Sequence, residues 1–207
     1  MSKREQIAVG LAAGFLCPYL TFVLFWWTSA ALAMSQIRLI SDRGIAAAAL
    51  TGLALGIILD ALFLKRWIAH FYSANLKLLV PVYLFCSVIA VASFMGFPLG
   101  NLALGTLAGV YVGRRTRHAG RPPESAASSA RQAGLFTAMV TGLEALPISI
   151  LALKEGVVVR MLQAGLGMSK DAVTGPPGIG VAVLACIAVM AMQFMCTRAA
   201  ARFAFDL

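Results

Sequence analysis

Apolar runs long enough to cross a lipid bilayer recur along this chain, and no other feature constrains its fold as strongly. A helix rises about 1.5 Å per residue, so roughly 17–25 apolar residues cross the ~30 Å of bilayer hydrocarbon. Buried helices of soluble proteins are seldom both this long and this apolar. The pattern therefore predicts an all-α, polytopic transmembrane helix bundle. Its six spans are expected at 7–29, 44–64, 78–95, 99–112, 133–153 and 179–197, within a single transmembrane domain over 1–207. The fourth is short and glycine-rich, and the tight turn Gly96-Phe97-Pro98 that precedes it leaves a re-entrant pair open as an alternative.

Composition agrees. Charged residues make up 12% of the chain and apolar ones 60%, against about 25% and 45–50% in soluble domains. The formal charge of +9 sits in the connections, where it reads as a topology signal rather than a nucleic-acid surface. With the N-terminus inside, twelve of the 17 lysines and arginines fall in inside segments and five outside. That bias fits an even number of spans, with both termini inside a bacterial inner membrane. The first run, 7–29, exceeds the ~7–15 residues of a signal-peptide core, so an uncleaved first span is expected.

Several segments between or within the spans have readings of their own. Pro18 should kink the first span. Residues 67–72 read as an amphipathic stretch along the interface. Residues 114–132 are basic at first, then rich in Ser and Ala, and read as a flexible inside loop. Residues 155–167 have helical apolar spacing. Gly175-Pro176-Pro177-Gly178 breaks the chain before the last span.

Small residues recur every fourth position at Gly10 and Gly14, at Gly44, Ala48, Gly52 and Gly56, and at Gly105, Gly109 and Gly113. Lipid tails are as apolar as leucine, so close backbone packing at such stripes is what draws spans together. The partners this predicts are the bilayer itself and neighbouring helices. Docking to a second copy or to other membrane subunits is the alternative use.

Ionisable and amide groups inside the spans are the candidate functional residues, because hydrocarbon makes them costly. Glu144 stands near the centre of the fifth span, where an acid costs roughly 2.5–3.5 kcal/mol on insertion scales. Thr141 and Thr137 precede it by three and seven residues, on the same helical face. Pro147 leaves the Leu143 carbonyl without its usual intrahelical donor. Asp60 lies about one turn from the inside end of span two, within reach of Lys65 and Arg66. Asn101 stands near the outside end of span four, where it can cap the helix or take part in a site.

The signals for other chemistry are missing. Cys17, Cys86, Cys186 and Cys196 form no C-x-x-C pair, and His70 and His118 fall in connections, so neither a metal nor a cofactor is expected. No phosphate-binding loop, H-E-x-x-H pair or G-x-S-x-G elbow is present. The chain is therefore read as a non-enzyme that handles a small solute or ion. The alternative is a structural or assembly protein that docks partners through its glycine stripes and basic inside segment.

Two stretches carry a resemblance. Residues 52–60, Gly-Leu-Ala-Leu-Gly-Ile-Ile-Leu-Asp, and Gly96-Phe97-Pro98-Leu99-Gly100 through Gly105, Gly109 and Gly113 resemble the small vitamin-binding membrane subunits of energy-coupling-factor transporters. They also resemble the related cell-shape family of the same fold. The resemblance implies a six-span, solute-binding membrane subunit. It matches no substrate motif, so it assigns no site residue.

Overall fold

Polar and small side chains line the helix contacts of this protein, and large apolar ones face outward. Leu11, Phe15 and Leu143 are at least 70% exposed, whereas Gln193, Thr137 and Thr197 are fully buried. Water would penalise that arrangement and hydrocarbon favours it. The computed structural model describes residues 3–35, 41–94, 99–154, 156, 160 and 176–207. Every element within them is helical: α1 (Lys3–Met34), α2 (Asp42–His70), a short 3-10 turn (Phe71–Ser73), α3 (Leu76–Ser93), α4 (Leu99–His118), α5 (Pro123–Lys154) and α6 (Pro176–Asp206).

Five of these segments are long and apolar enough to cross a membrane: Glu5–Met34, Asp42–Ser73, Leu76–Ser93, Pro123–Lys154 and Ile179–Asp206. The remaining expected span, α4, is not among them. Its uncharged stretch, 99–113, rises only about 22 Å before Arg114, Arg115 and Arg117. Glycine at positions 100, 105, 109 and 113 lowers its hydropathy further.

Two other expectations change with it. The basic segment 114–132 is largely helix, because α4 continues to His118 and α5 begins at Pro123. Arginine, glutamine and alanine are good helix formers, and proline suits the start of a helix. Only residues 119–122 are non-helical, with Gly120 at a φ of 64°, which suits glycine. Likewise, 67–70 simply extends α2. The predicted helix at 155–167 lies outside the described residues, apart from Gly156 and Arg160. Pro176 falls at the N-terminus of α6 rather than before it.

Contacts divide the chain into two compact units, Met1–Ala74 and Asn75–Leu207. The first is an antiparallel pair, α1 on α2. A side chain at Gly52 would meet the Thr21 carbonyl and Phe25, and one at Gly56 would meet Pro18 and Thr21. Pro18 sits inside α1, and the Thr21 hydroxyl donates to the Cys17 carbonyl at 2.9 Å. Ser41 caps α2 through Gly44 N at 3.3 Å.

The second unit packs α3, α4, α5 and α6. Gly105, Gly109 and Gly113 follow α6 in step, meeting Gln193, then Thr197 and Ala200, then Ala201 and Ala204. The two helices are therefore parallel. Helix α5 runs antiparallel to α6, with Gly142 against Met190 and Gly134 against Phe194. Helix α3 runs antiparallel to α4, with Gly100 against Ala90 and Phe94. Asn75 caps α3 by accepting from Lys77 N at 2.9 Å.

A methyl group at Gly109 would strike the Thr197 backbone carbonyl, which cannot swing aside. Gly109→Ala should therefore cost about 1–3 kcal/mol of stability. Gly180, with open space around it, should tolerate the same change with little effect. Thermal unfolding of the two variants in detergent measures the difference.

Candidate functional site

Hydrocarbon offers no hydrogen bonds, so polar side chains in the second unit must find one another. They do so across all four helices. Ser87 on α3, Asn101 on α4, Thr137 and Thr141 on α5, and Gln193 and Thr197 on α6 are each at most 1% exposed. Glu144, one turn beyond Thr141, is half-buried beside them.

The carboxyl of Glu144 is the focus. Its Oε2 accepts from the Ser87 hydroxyl at 2.8 Å and from the Asn101 amide Nδ2. Ser87 Oγ also lies 3.2 Å from Asn101 Oδ1. A hydroxyl has one hydrogen to give, and the shorter contact directs it to the carboxylate. Asn101 is fixed from its other side, because its backbone carbonyl accepts from Gln193 Nε2 at 3.0 Å. The amide is thus committed to the carboxylate, and Asn101 does not cap α4.

Beside the cluster lies a cavity of about 160 Å³, lined by Asn101, Thr141, Glu144, Ser149 and Cys186 with Val91, Ile148 and Val189 among the apolar wall. That is room for several waters or one small polar solute. Thr141 Oγ1 is buried without a hydrogen bond, and so is Gln193 Oε1. Unpaired buried polar atoms are rare, because each forfeits its hydration. Thr141, on the cavity wall, is placed to bind whatever enters. The Ser149 hydroxyl and Cys186 thiol meet across the wall at 3.2 Å.

The expected residues separate accordingly. Glu144, Thr141 and Asn101 share one site. Thr137 does not reach it: its hydroxyl faces that of Thr197 at 2.9 Å and the Gly134 carbonyl at 3.1 Å, tying α5 to α6. Asp60 belongs to the first unit, buried against α1. Its Oδ1 has no hydrogen-bond partner, it makes no ion pair with Lys65 or Arg66, and Cys17 is its polar neighbour. Among the described residues, no group of three or more His, Cys, Asp or Glu could hold a metal ion.

Ser87, Gln193 and Thr197 escaped the sequence reading. Gln193 is one amide in a strongly apolar run, which is itself a signal for an interhelix hydrogen bond. Ser87 and Thr197 carry no such signal, since hydroxyls are common in spans and can bond their own backbone. Comparison with known protein families, with curated proteins and with solved structures gives no match to this chain. The likeness of the two glycine-rich stretches to transporter subunits therefore gains no support, and the chemistry of the buried cluster carries the functional reading.

Replacing Thr137 and Thr197 by Val, singly and together, isolates their hydroxyl contact. A double-mutant cycle in detergent should give a coupling of about 0.6 kcal/mol, typical of interhelix hydrogen bonds in membranes.

Proposed function

We propose that this protein is a small-solute or ion transporter, or the membrane-embedded solute-binding subunit of one, in a bacterial-type inner membrane. The observation that carries this reading is Glu144, an acid within the fifth expected span, on the wall of a cavity with Asn101 and Thr141. Ser87 and Asn101 orient the carboxyl, while Thr141 offers a free hydroxyl to a solute. The carboxyl either binds a cationic or hydrogen-bonding solute or carries a proton. Intramembrane acids facing cavities commonly serve such paths.

The reading requires both termini inside and six crossings. Helix α4 would be the sixth, and its direction, antiparallel to α3 and α5 and parallel to α6, supports that reading. A short span shielded by its neighbours can cross where the bilayer thins. A reporter fused at Gly120 should then lie on the same side as the N-terminus. The opposite outcome at Gly120, with the N-terminus inside, would mean that α4 turns back.

A structural reading has its own support, because the Ser87, Asn101 and Glu144 contacts clasp three helices. In that case the protein is an assembly factor that meets partners through its basic end. Glu144→Gln separates the two. In the transporter reading the variant folds and loses at least about tenfold in solute affinity or flux. A solute panel read by thermal shift is suitable, since a ligand at 100 times its Kd stabilises by about 2.7 kcal/mol. Unchanged binding in the variant, or no shift in either protein across the panel, favours the clasp. Charge reversal of Arg115 and Arg121 should then disrupt partner capture.

A further inference from the structure

A second and larger cavity, of about 350 Å³, lies among α3, α4 and α5 at their basic end, within the size range of ligand pockets. Its walls are mostly apolar or aromatic, including Leu79, Tyr83, Tyr111 and Phe136. Two arginines, Arg115 and Arg121, line it, and no acidic residue does.

The arginines at this end divide by role. Arg114 donates to the Ala204 carbonyl at 3.4 Å and Arg117 to the Phe205 carbonyl at 2.6 Å. Those contacts satisfy the open carbonyls at the C-terminus of α6, where a cation is favoured. Arg115 is different. Its Nη1 is buried with no hydrogen-bond partner, and the Tyr83 hydroxyl on the same cavity is buried without one too. A guanidinium nitrogen shut away from water costs free energy until an acceptor reaches it.

We infer that this cavity binds an amphiphile whose anionic head, a phosphate or carboxylate, meets Arg115 while its apolar body lies against Tyr83 and Phe136. Arg115 presents a planar fork suited to two oxygens of such a head. Tyr83 adds a neutral donor, and Arg121, at the turn, adds positive charge at the mouth. The two rings stand 5.3 Å apart at 56°, an arrangement that leaves an aromatic surface for the ligand's body. The site does not involve Glu144 and stands whether or not that residue handles solute. The amphiphile can come from the bilayer, as a lipid with an anionic headgroup, or from water.

Full-length protein in an uncharged detergent would be titrated with dioctanoyl phosphatidylglycerol, with phenyl phosphate and, as a zwitterionic comparison, with dioctanoyl phosphatidylcholine, following Tm. At least one anion should raise Tm saturably, with phosphatidylcholine ineffective. A shift from the lipid alone assigns the bilayer as the source, and a shift from phenyl phosphate alone assigns the aqueous phase. Arg115→Gln should weaken binding about tenfold or more and Tyr83→Phe about threefold. Lys154→Gln, which removes an exposed charge elsewhere, should leave affinity within about twofold. Arg115→Lys, which keeps the charge and loses the fork, should fall between and serves if the glutamine variant does not fold. The proposal is overturned if neither anion binds, if phosphatidylcholine binds as well, or if affinity is indifferent to Arg115.

Discussion

The close approach of α4 to α6 along Gly105, Gly109 and Gly113 is the contact on which the second unit depends. A lipid bilayer gives no hydrophobic reward for pressing two apolar helices together, so the attraction must come from packing and polar bonds at short range. Glycine permits that range. With no side chain at Gly105, the Gln193 amide can lie over the α4 backbone and donate to the Asn101 carbonyl. Asn101 is then held in register with Glu144 and Ser87, and the polar core of four helices follows from one glycine row.

That core reverses the division of labour in a soluble domain. Six of the most deeply buried side chains are polar, and the apolar bulk faces outward. In hydrocarbon the alternative for each of these groups is an unsatisfied bond, so they find one another and leave the surface to Leu, Ile and Phe. Most are paired. Among the described residues, buried atoms without a partner remain on Asp60 in the first unit and on Tyr83, Arg115, Thr141, Gln193 and Arg198 in the second, where three of the five residues line cavities. A purely structural clasp has no use for such leftover bonding capacity, whereas a site that must exchange its contents does.

Much of this was legible in the sequence, and the reasons for the remainder are physical. The four-residue spacing of glycine predicted tight helix contacts, and Gly52, Gly56, Gly105, Gly109 and Gly113 make them within the chain. The cost of an acid in hydrocarbon singled out Glu144, and Thr141, grouped with it by its sequence offset, lies on the same cavity wall. Helix ends were less readable, because hydropathy stops at a charge and the helical backbone does not. Helix α5 begins ten residues before its apolar run, carried by residues such as Ala, Arg and Gln that favour helix on any surface. One donor to Glu144, Ser87, was hidden for another reason. Ser87 lies 57 residues away, and which of many hydroxyls meets the carboxyl is decided by helix register, which no local pattern encodes.

The four-residue turn at 119–122, closed by Gly120, has a thermodynamic consequence. A tether of twenty disordered residues would sample many conformations, and any ligand gathering its charges would have to overcome that lost freedom. Here the hairpin has already surrendered most of its conformational entropy on folding. Arg115, on α4, and Arg121, in the short turn between two helices, are held near a fixed separation before a ligand arrives. Association with the basic end is therefore expected to carry a small entropic penalty and to discriminate by shape as well as by charge.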